Sequence, residues 1–281
     1  MSRQHSFAVL RKPARKVIRH QAKRLLKKAD KAVARVDDPR DAEALHDARV
    51  ALRKVRAWLQ AFRDELPLKR KQRHALRDLT HSTNAVRDAE VGLELLERIG
   101  PRMTPKTARF ASRLRTARTD GYRRVREEMP AAWHKLDREL RRAVKGADAH
   151  KSRFRSAFHT SLRGYARSFE LARRRAGRDP TPPNIHALRI AGKKARYLVE
   201  TVLKPERSIQ PFIREMTALH DAAGSIQDLQ RLRILARRQA GISRAAAQEQ
   251  LRHIAGFRRL YLGESSPRCV QELRGLLKSV S

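Results

Sequence analysis

Cysteine is almost absent from this sequence. Cys269 is the sole thiol among 281 residues, which excludes an internal disulfide framework and fits a reducing compartment. Long apolar runs are also missing. The opening MSRQHSFAVLRKPARK holds only the short apolar run Phe7 to Leu10. That is neither a signal peptide nor a membrane span. A transit peptide is the targeting alternative that the basic start leaves open. The expectation is a soluble, cytoplasmic protein. Aromatic residues make up only 5%, thin for stacking on single-stranded bases. Strand signals are missing as well, since no run alternates Val, Ile, Thr and aromatics.

Acidic side chains are few beside the basic ones. There are 29 Asp and Glu against 66 Lys and Arg, a formal charge of +37. A compact domain with that charge repels itself, and a polyanionic partner relieves the repulsion. DNA, RNA, an anionic membrane surface and a small or polymeric phosphate all qualify. Hydrophobic residues at 40% suffice for a sizeable core in one large domain.

What is abundant is helical. Ala, Leu, Arg, Lys and Glu dominate, with apolar residues at helical spacing. Punctuation at Pro39, Pro67, Gly100, Pro101, Pro105, Pro130, Gly146, Asp179 to Pro183, Pro205, Gly241 and Gly263 to Pro267 separates the helical stretches. Helices are predicted near 8–36, 41–66, 69–99, 104–144, 151–176, 184–203, 207–239, 242–262 and 268–279. The fold class is all-α.

The chain repeats itself at an offset of 140 residues. LHDARVALRKVRAWLQ (45–60) aligns with IHALRIAGKKARYLVE (185–200). His46 meets His186, Arg49 meets Arg189, Arg53 meets Lys193, Lys54 meets Lys194 and Arg56 meets Arg196. The register holds from about residue 15 to residue 91 and pairs Asp88 with Asp228. Two half-repeats follow, 1–148 and 149–281, each expected to form a bundle of four helices. Related by a pseudo-twofold axis, they would enclose a central basic pore or cleft.

On a helix at roughly 100° per residue, positions 45, 48, 52, 55, 59 and 62 form one apolar stripe. His46, Arg49, Arg53 and Arg56 form a second, roughly 110° away. These cations therefore flank the buried seam instead of opposing it, and His186, Arg189, Lys193 and Arg196 repeat the pattern. Lys54 and Lys194 point further round. Helix 1 adds Arg15, Arg19 and Lys23, and its counterpart adds Arg155, His159 and Arg163. The third helix brings Arg73 and Arg77, with Arg214 as the main cation of its counterpart. Two facing lines of cations suit a chain of repeating negative charges. Arg offers forked donors to phosphate oxygens, Lys a mobile point charge, and His a charge that changes near neutral pH.

Other readings fit less well. His20, His74, His134, His150 and His253 read as ordinary packed or surface histidines. Asp88 and Asp228 read as groups that orient cations or cap helices. The sequence has no H-x-x-x-H pair, so no metal site is expected. "LHDA" occurs at 45–48 and 219–222, which invites a metal-dependent phosphohydrolase reading. However, the copies are not equivalent in the repeat: His220 corresponds to Thr80, and Asp47 to Ala187. A phosphoryl-transfer enzyme usually holds metal with carboxylates, and the cationic stripe has no paired carboxylates. Nucleic acid is the serious rival partner, although no helix-turn-helix, zinc-finger or basic-zipper pattern occurs. Membrane binding is not expected, since no helix pairs a broad apolar face with its basic one.

The duplicated H-x-x-R-x-x-x-[RK]-K-x-R pattern at His46 and His186 resembles the CHAD domain, the conserved-histidine α-helical domain. AVRDAEV (85–91) and SIQDLQR (225–231) resemble its third-helix signature, with Gln227 standing where the pattern has arginine. The resemblance spans essentially the whole chain. It implies paired four-helix bundles around a basic pore. It also implies binding of inorganic polyphosphate, with no catalysis and no cofactor, in the cytoplasm and in association with polyphosphate granules.

Overall fold

A computed structural model describes residues 7–41, 43–99, 104–146, 153–203, 209–263 and 267–280. The expected half-repeat boundary at 148–149, the helix starts near 151 and 207, and His150 lie outside these residues. Among the described residues the chain is helical, and its one β-bridge is isolated, between Pro13 and Arg153. Ten α-helices follow in order. They are α1 (Ala14–Ala34), α2 (Ala44–Ala61), α3 (Arg70–Ser82), α4 (Asn84–Ile99), α5 (Pro105–Lys145), α6 (Phe154–Arg178), α7 (Pro182–Val202), α8 (Gln210–Leu235), α9 (Ala240–Phe257) and α10 (Arg268–Val280).

The apolar stripe read from α2 is buried: Leu45, Ala48, Leu52, Val55, Leu59 and Phe62 are all inside. So are Ile185, Leu188, Ala195, Val199 and Val202 of α7. Helix α1 packs on α2 and α5, α6 on α7, α7 on α8, and α8 on α9 and α10. Helix α2 packs on α7, and α4 on α8, joining the earlier and later parts of the chain. One core therefore runs through both. At its centre Trp58, Phe62, Phe154 and Phe158 are tilted on one another, with the Trp58 and Phe62 ring centroids 4.5 Å apart. Each such side chain contributes about 1.5–3 kcal/mol when fully buried. The Trp58 indole donates to the Ile18 carbonyl (3.1 Å), and the Gln21 amide to the Thr201 carbonyl (3.0 Å). The α1–α2–α7 junction thus keeps its buried donors satisfied. A smaller cluster, including Leu95, Phe110, Leu114, Leu232 and Ile242, closes the far end between α4, α5, α8 and α9.

The third predicted helix differs from expectation. The stretch 69–99 is broken at Thr83 into α3 and α4. Thr83 Oγ1 donates to the Thr80 carbonyl (2.9 Å) and accepts from Arg49 (2.6 Å). Such local side-chain bonds compete with the helix ladder. Helix α5, in contrast, continues through Pro130, giving up the one hydrogen bond that proline cannot donate. Its start is conventional: Thr104 Oγ1 accepts from the Thr107 amide, and Pro105 follows the cap. Gly121 sits where α5 crosses α4, and a Cβ there would lie 2.7 Å from Val86 Cγ2.

Candidate functional site

The contact between α2 and α7 carries the site. The cations beside each buried stripe are held half-buried: Arg49, Arg53 and Arg56 on α2, and His186, Arg189, Lys193 and Arg196 on α7. Gly192 lets α7 close on Phe169, where a Cβ would be 3.1 Å from Cε2.

Backbone groups fix the guanidiniums. Arg49 Nη1 donates to the Thr83 carbonyl and, at 2.6 Å, to the Thr83 hydroxyl. Arg53 Nε donates to the Arg49 carbonyl (3.0 Å). Arg189 Nε donates to the His220 carbonyl (3.3 Å). Arg196 Nη1 donates to Thr217 Oγ1 (2.6 Å), with Glu200 Oε1 3.5 Å from its Nε. The equivalent residues Arg49 and Arg189 thus each anchor on a main-chain carbonyl of the next helical segment. Arg49, Arg53, Arg189 and Lys193 have no carboxylate oxygen within 4.0 Å among the described residues.

The electrostatics follow. Burial, then Arg53, Arg189, Arg196 and Arg49 in that order, push the Lys193 ammonium down to about 7. Burial, then Arg53 and Arg87, push Arg49 down to about 10. Burial and then Arg189 and Lys193 lower His186. Cations of α2 and α7 therefore act on one another across the helix contact, each disfavouring its neighbour's charge. His186 Nδ1 is buried with no hydrogen-bond partner. Such an orphan costs about 1–3 kcal/mol.

The remaining expected residues divide. His46, at the head of the α2 stripe, is exposed and stands outside the shielded cluster. Arg56 turns towards Arg77; burial, then Arg77, lower its pKa, and both line a groove between α2 and α3 with Arg73. Lys54 faces another groove, with Lys28, Lys31 and Glu200. Lys194 is half-buried on α7. Arg19 and Lys23 line a groove between α1 and α5. Arg15 is exposed on α1, and Arg163 is exposed and His159 half-buried on α6. Arg155 Nε donates to the Val280 carbonyl (3.2 Å), which ties it to the end of α10. Arg214 is exposed beside Glu215, 3.7 Å away.

Sequence reasoning passed over His220. The repeat pairs it with Thr80, a residue that bonds the Leu76 carbonyl inside α3, so no symmetry signal marked it. In the fold it joins the cation cluster. Burial, then Arg189, Lys193, Arg196 and Arg53, push its pKa down to about 2. Its Nδ1 lies 3.4 Å from Asp221 Oδ1, and its Nε2 has no partner. Arg87 was also passed over, although it lies in the third-helix signature; it acts on both Arg49 and Asp228. The repeated aspartates cross-connect the two signature motifs. Asp88 accepts from Arg231, with Nε 2.7 Å from Oδ2, while burial raises Asp228 against the opposing effect of Arg87 and Arg189. With Gln227 at the position before Asp228 and Arg231 paired to Asp88, it is Arg87 of the other motif that acts on Asp228.

Among the described residues no group of three or more His, Cys, Asp or Glu side chains converges as metal ligands, and no helix is long and apolar enough to cross a membrane. No curated protein matches the chain. Among solved structures it resembles the CHAD domain from the plant Ricinus communis, at 17% identity and a TM-score of 0.67, over 96% of this chain and 93% of that one. It also resembles PptA from Streptomyces chartreusis, at 14% identity and a TM-score of 0.66, over 94% and 100%. The CHAD domain family model matches residues 5–237, and with the α2–α7 geometry this places the chain in the CHAD domain family.

Proposed function

We propose that this protein binds long-chain inorganic polyphosphate, without chemistry, in the cleft between α2 and α7. The observation that carries the reading is the cluster of Arg49, Arg53, Arg189 and Lys193, half-buried from two helices with no carboxylate oxygen within 4.0 Å among the described residues. Such a cluster is destabilised while empty and stabilised by an anion of repeating charge. The guanidiniums provide forked donors, Lys193 a movable charge, and His186 and His220 donors once protonated. Family membership supports the same ligand. His46, exposed at the mouth, and the outlying Arg15, Arg155, His159, Arg163, Lys54, Lys194 and Arg214 belong to the periphery of this proposed surface.

Calorimetric titration with long-chain polyphosphate tests the reading, run beside tripolyphosphate and duplex DNA at equal salt. Tight binding of the long chain alone is expected, and it weakens steeply with salt because each neutralised phosphate releases counterions. Equal affinity for tripolyphosphate or DNA would sink the polymer reading. Phosphate release in the presence of Mg²⁺ or Mn²⁺ would overturn the non-enzymatic part.

A further inference from the structure

Resting on that reading, we infer that the polyphosphate chain continues beyond the cleft along a cationic track over α2, α3, α5 and α1. Three grooves of this surface abut. The first, between α2 and α3, is lined by Arg56, Arg73, His74 and Arg77 and also by Gln72. Arg56 lies three residues along α2 from Arg53, so this groove opens from the cleft. Gln72 lines the second groove as well, with Lys69, Lys71 and Arg142. Arg142 is three residues from Lys145 on α5, hence its neighbour on the helix surface. Lys145 lines the third groove, of about 640 Å³, with Arg141, Arg19, Lys23 and Lys27. Consecutive grooves therefore share a residue or a helix face from Arg53 to Lys23.

Charge along the track is largely uncompensated. Arg56, Lys71, Arg142, Lys145, Lys23 and Lys27 have no carboxylate within 4.0 Å among the described residues. The exceptions are local: Asp64 sits at Arg63, Asp78 at Arg77, and Asp137 2.5 Å from Arg141 Nε. Glu139 lines the second groove without pairing. On the side of α6 and α7 some of the charge is committed: Arg173 and Arg174 share Glu170, Arg196 has Glu200 and Thr217, and Arg155 holds the Val280 carbonyl. On the track Arg73 likewise holds a carbonyl, that of Leu68 (2.6 Å). A polyanion extending beyond the cleft finds free donors along the α3–α5 side.

The track makes affinity depend on chain length at residues remote from the cleft. Two charge-reversed pairs test it: Lys23→Glu with Lys27→Glu, and Arg142→Glu with Lys145→Glu. All four side chains are exposed, and circular dichroism checks that helicity is kept. Each variant is titrated with a chain of about ten phosphates and one of about a hundred, at two salt concentrations. The expected result is a loss of roughly tenfold or more for the long chain, a salt slope shallower by about 2, and little change for the short chain. Unchanged long-chain affinity in both variants overturns the track and leaves the cleft reading standing. Equal loss for both lengths also overturns it, since the residues would then act on the cleft itself. Failure of the unaltered protein to bind either chain overturns the function proposed above. Displacement of the long chain by double-stranded RNA at equal phosphate concentration assigns the surface to nucleic acid instead.

Discussion

Arg53 of α2 is the strongest charge acting on the Lys193 ammonium of α7, although the two residues occupy equivalent places 140 residues apart in the sequence. The two copies of the duplicated motif thus meet at the α2–α7 contact. The repulsion between their cations opposes folding in the absence of an anion, and on the proposed function four consequences can be measured.

Removing the charge at Lys193 should stabilise the empty protein and weaken ligand binding together. Lys193→Met keeps the apolar stem beside Tyr197, above whose ring the ammonium lies at 5.4 Å. We expect melting at pH 7 to rise by about 2–4 °C for each kcal/mol of relieved repulsion. Polyphosphate affinity should drop by roughly tenfold, the equivalent of about 1.4 kcal/mol. Calorimetry on one sample pair reads both. A variant that melts lower and still binds fully would remove Lys193 from the cluster.

Stability of the empty protein should rise with pH. Lys193 titrates near 7 when folded and at its ordinary 10.5 when unfolded. Between those values the unfolded chain binds more protons, so unfolding grows costlier as pH increases, by at most about 1.4 kcal/mol per unit. His220 acts in the same sense lower down, from about 2 in the fold to 6.5 unfolded. Melting curves from pH 6 to pH 9 should climb, and Lys193→Met should flatten the portion above pH 7.

Ligand binding should run the other way. A polyanion favours the charged form of Lys193, so complex formation near pH 7 takes up protons and affinity increases as pH falls from 9 to 6. Titrations in buffers of different ionisation enthalpy count those protons. Lys193→Arg, charged throughout, should abolish most of the uptake while retaining binding. Uptake that persists in that variant would shift the titration to His186 or His220.

Thr83→Val keeps the side-chain shape and deletes the hydroxyl that accepts from Arg49 and donates to Thr80. We expect a loss of about 1–2 kcal/mol in stability and a several-fold loss in polyphosphate affinity as Arg49 keeps the Thr83 carbonyl but loses the hydroxyl partner that helps orient it. Denaturant unfolding and titration check the two effects. Asp88→Asn offers a contrast: its pair with Arg231 is partly exposed, so the stability change should stay within about 1 kcal/mol.

The sequence alone determined the helical class, the buried stripes of α2 and α7 and the cations beside them. Helical periodicity is local, so a residue's angle from the apolar seam follows from its number. The offset of 140 residues identified equivalent positions for the same reason. Tertiary structure decided what each cation faces. His46 and His186 are equivalent in sequence, yet one is exposed and the other half-buried. His220 entered the cluster with no counterpart in the repeat, because α8 packs on α7 where the earlier chain breaks at Thr83 into two helices. Arg155 left it by reaching the end of α10. Arg87 of one signature motif acts on Asp228 of the other. Facing, shielding and pairing between segments distant in sequence depend on how helices dock, and docking is set by the whole core.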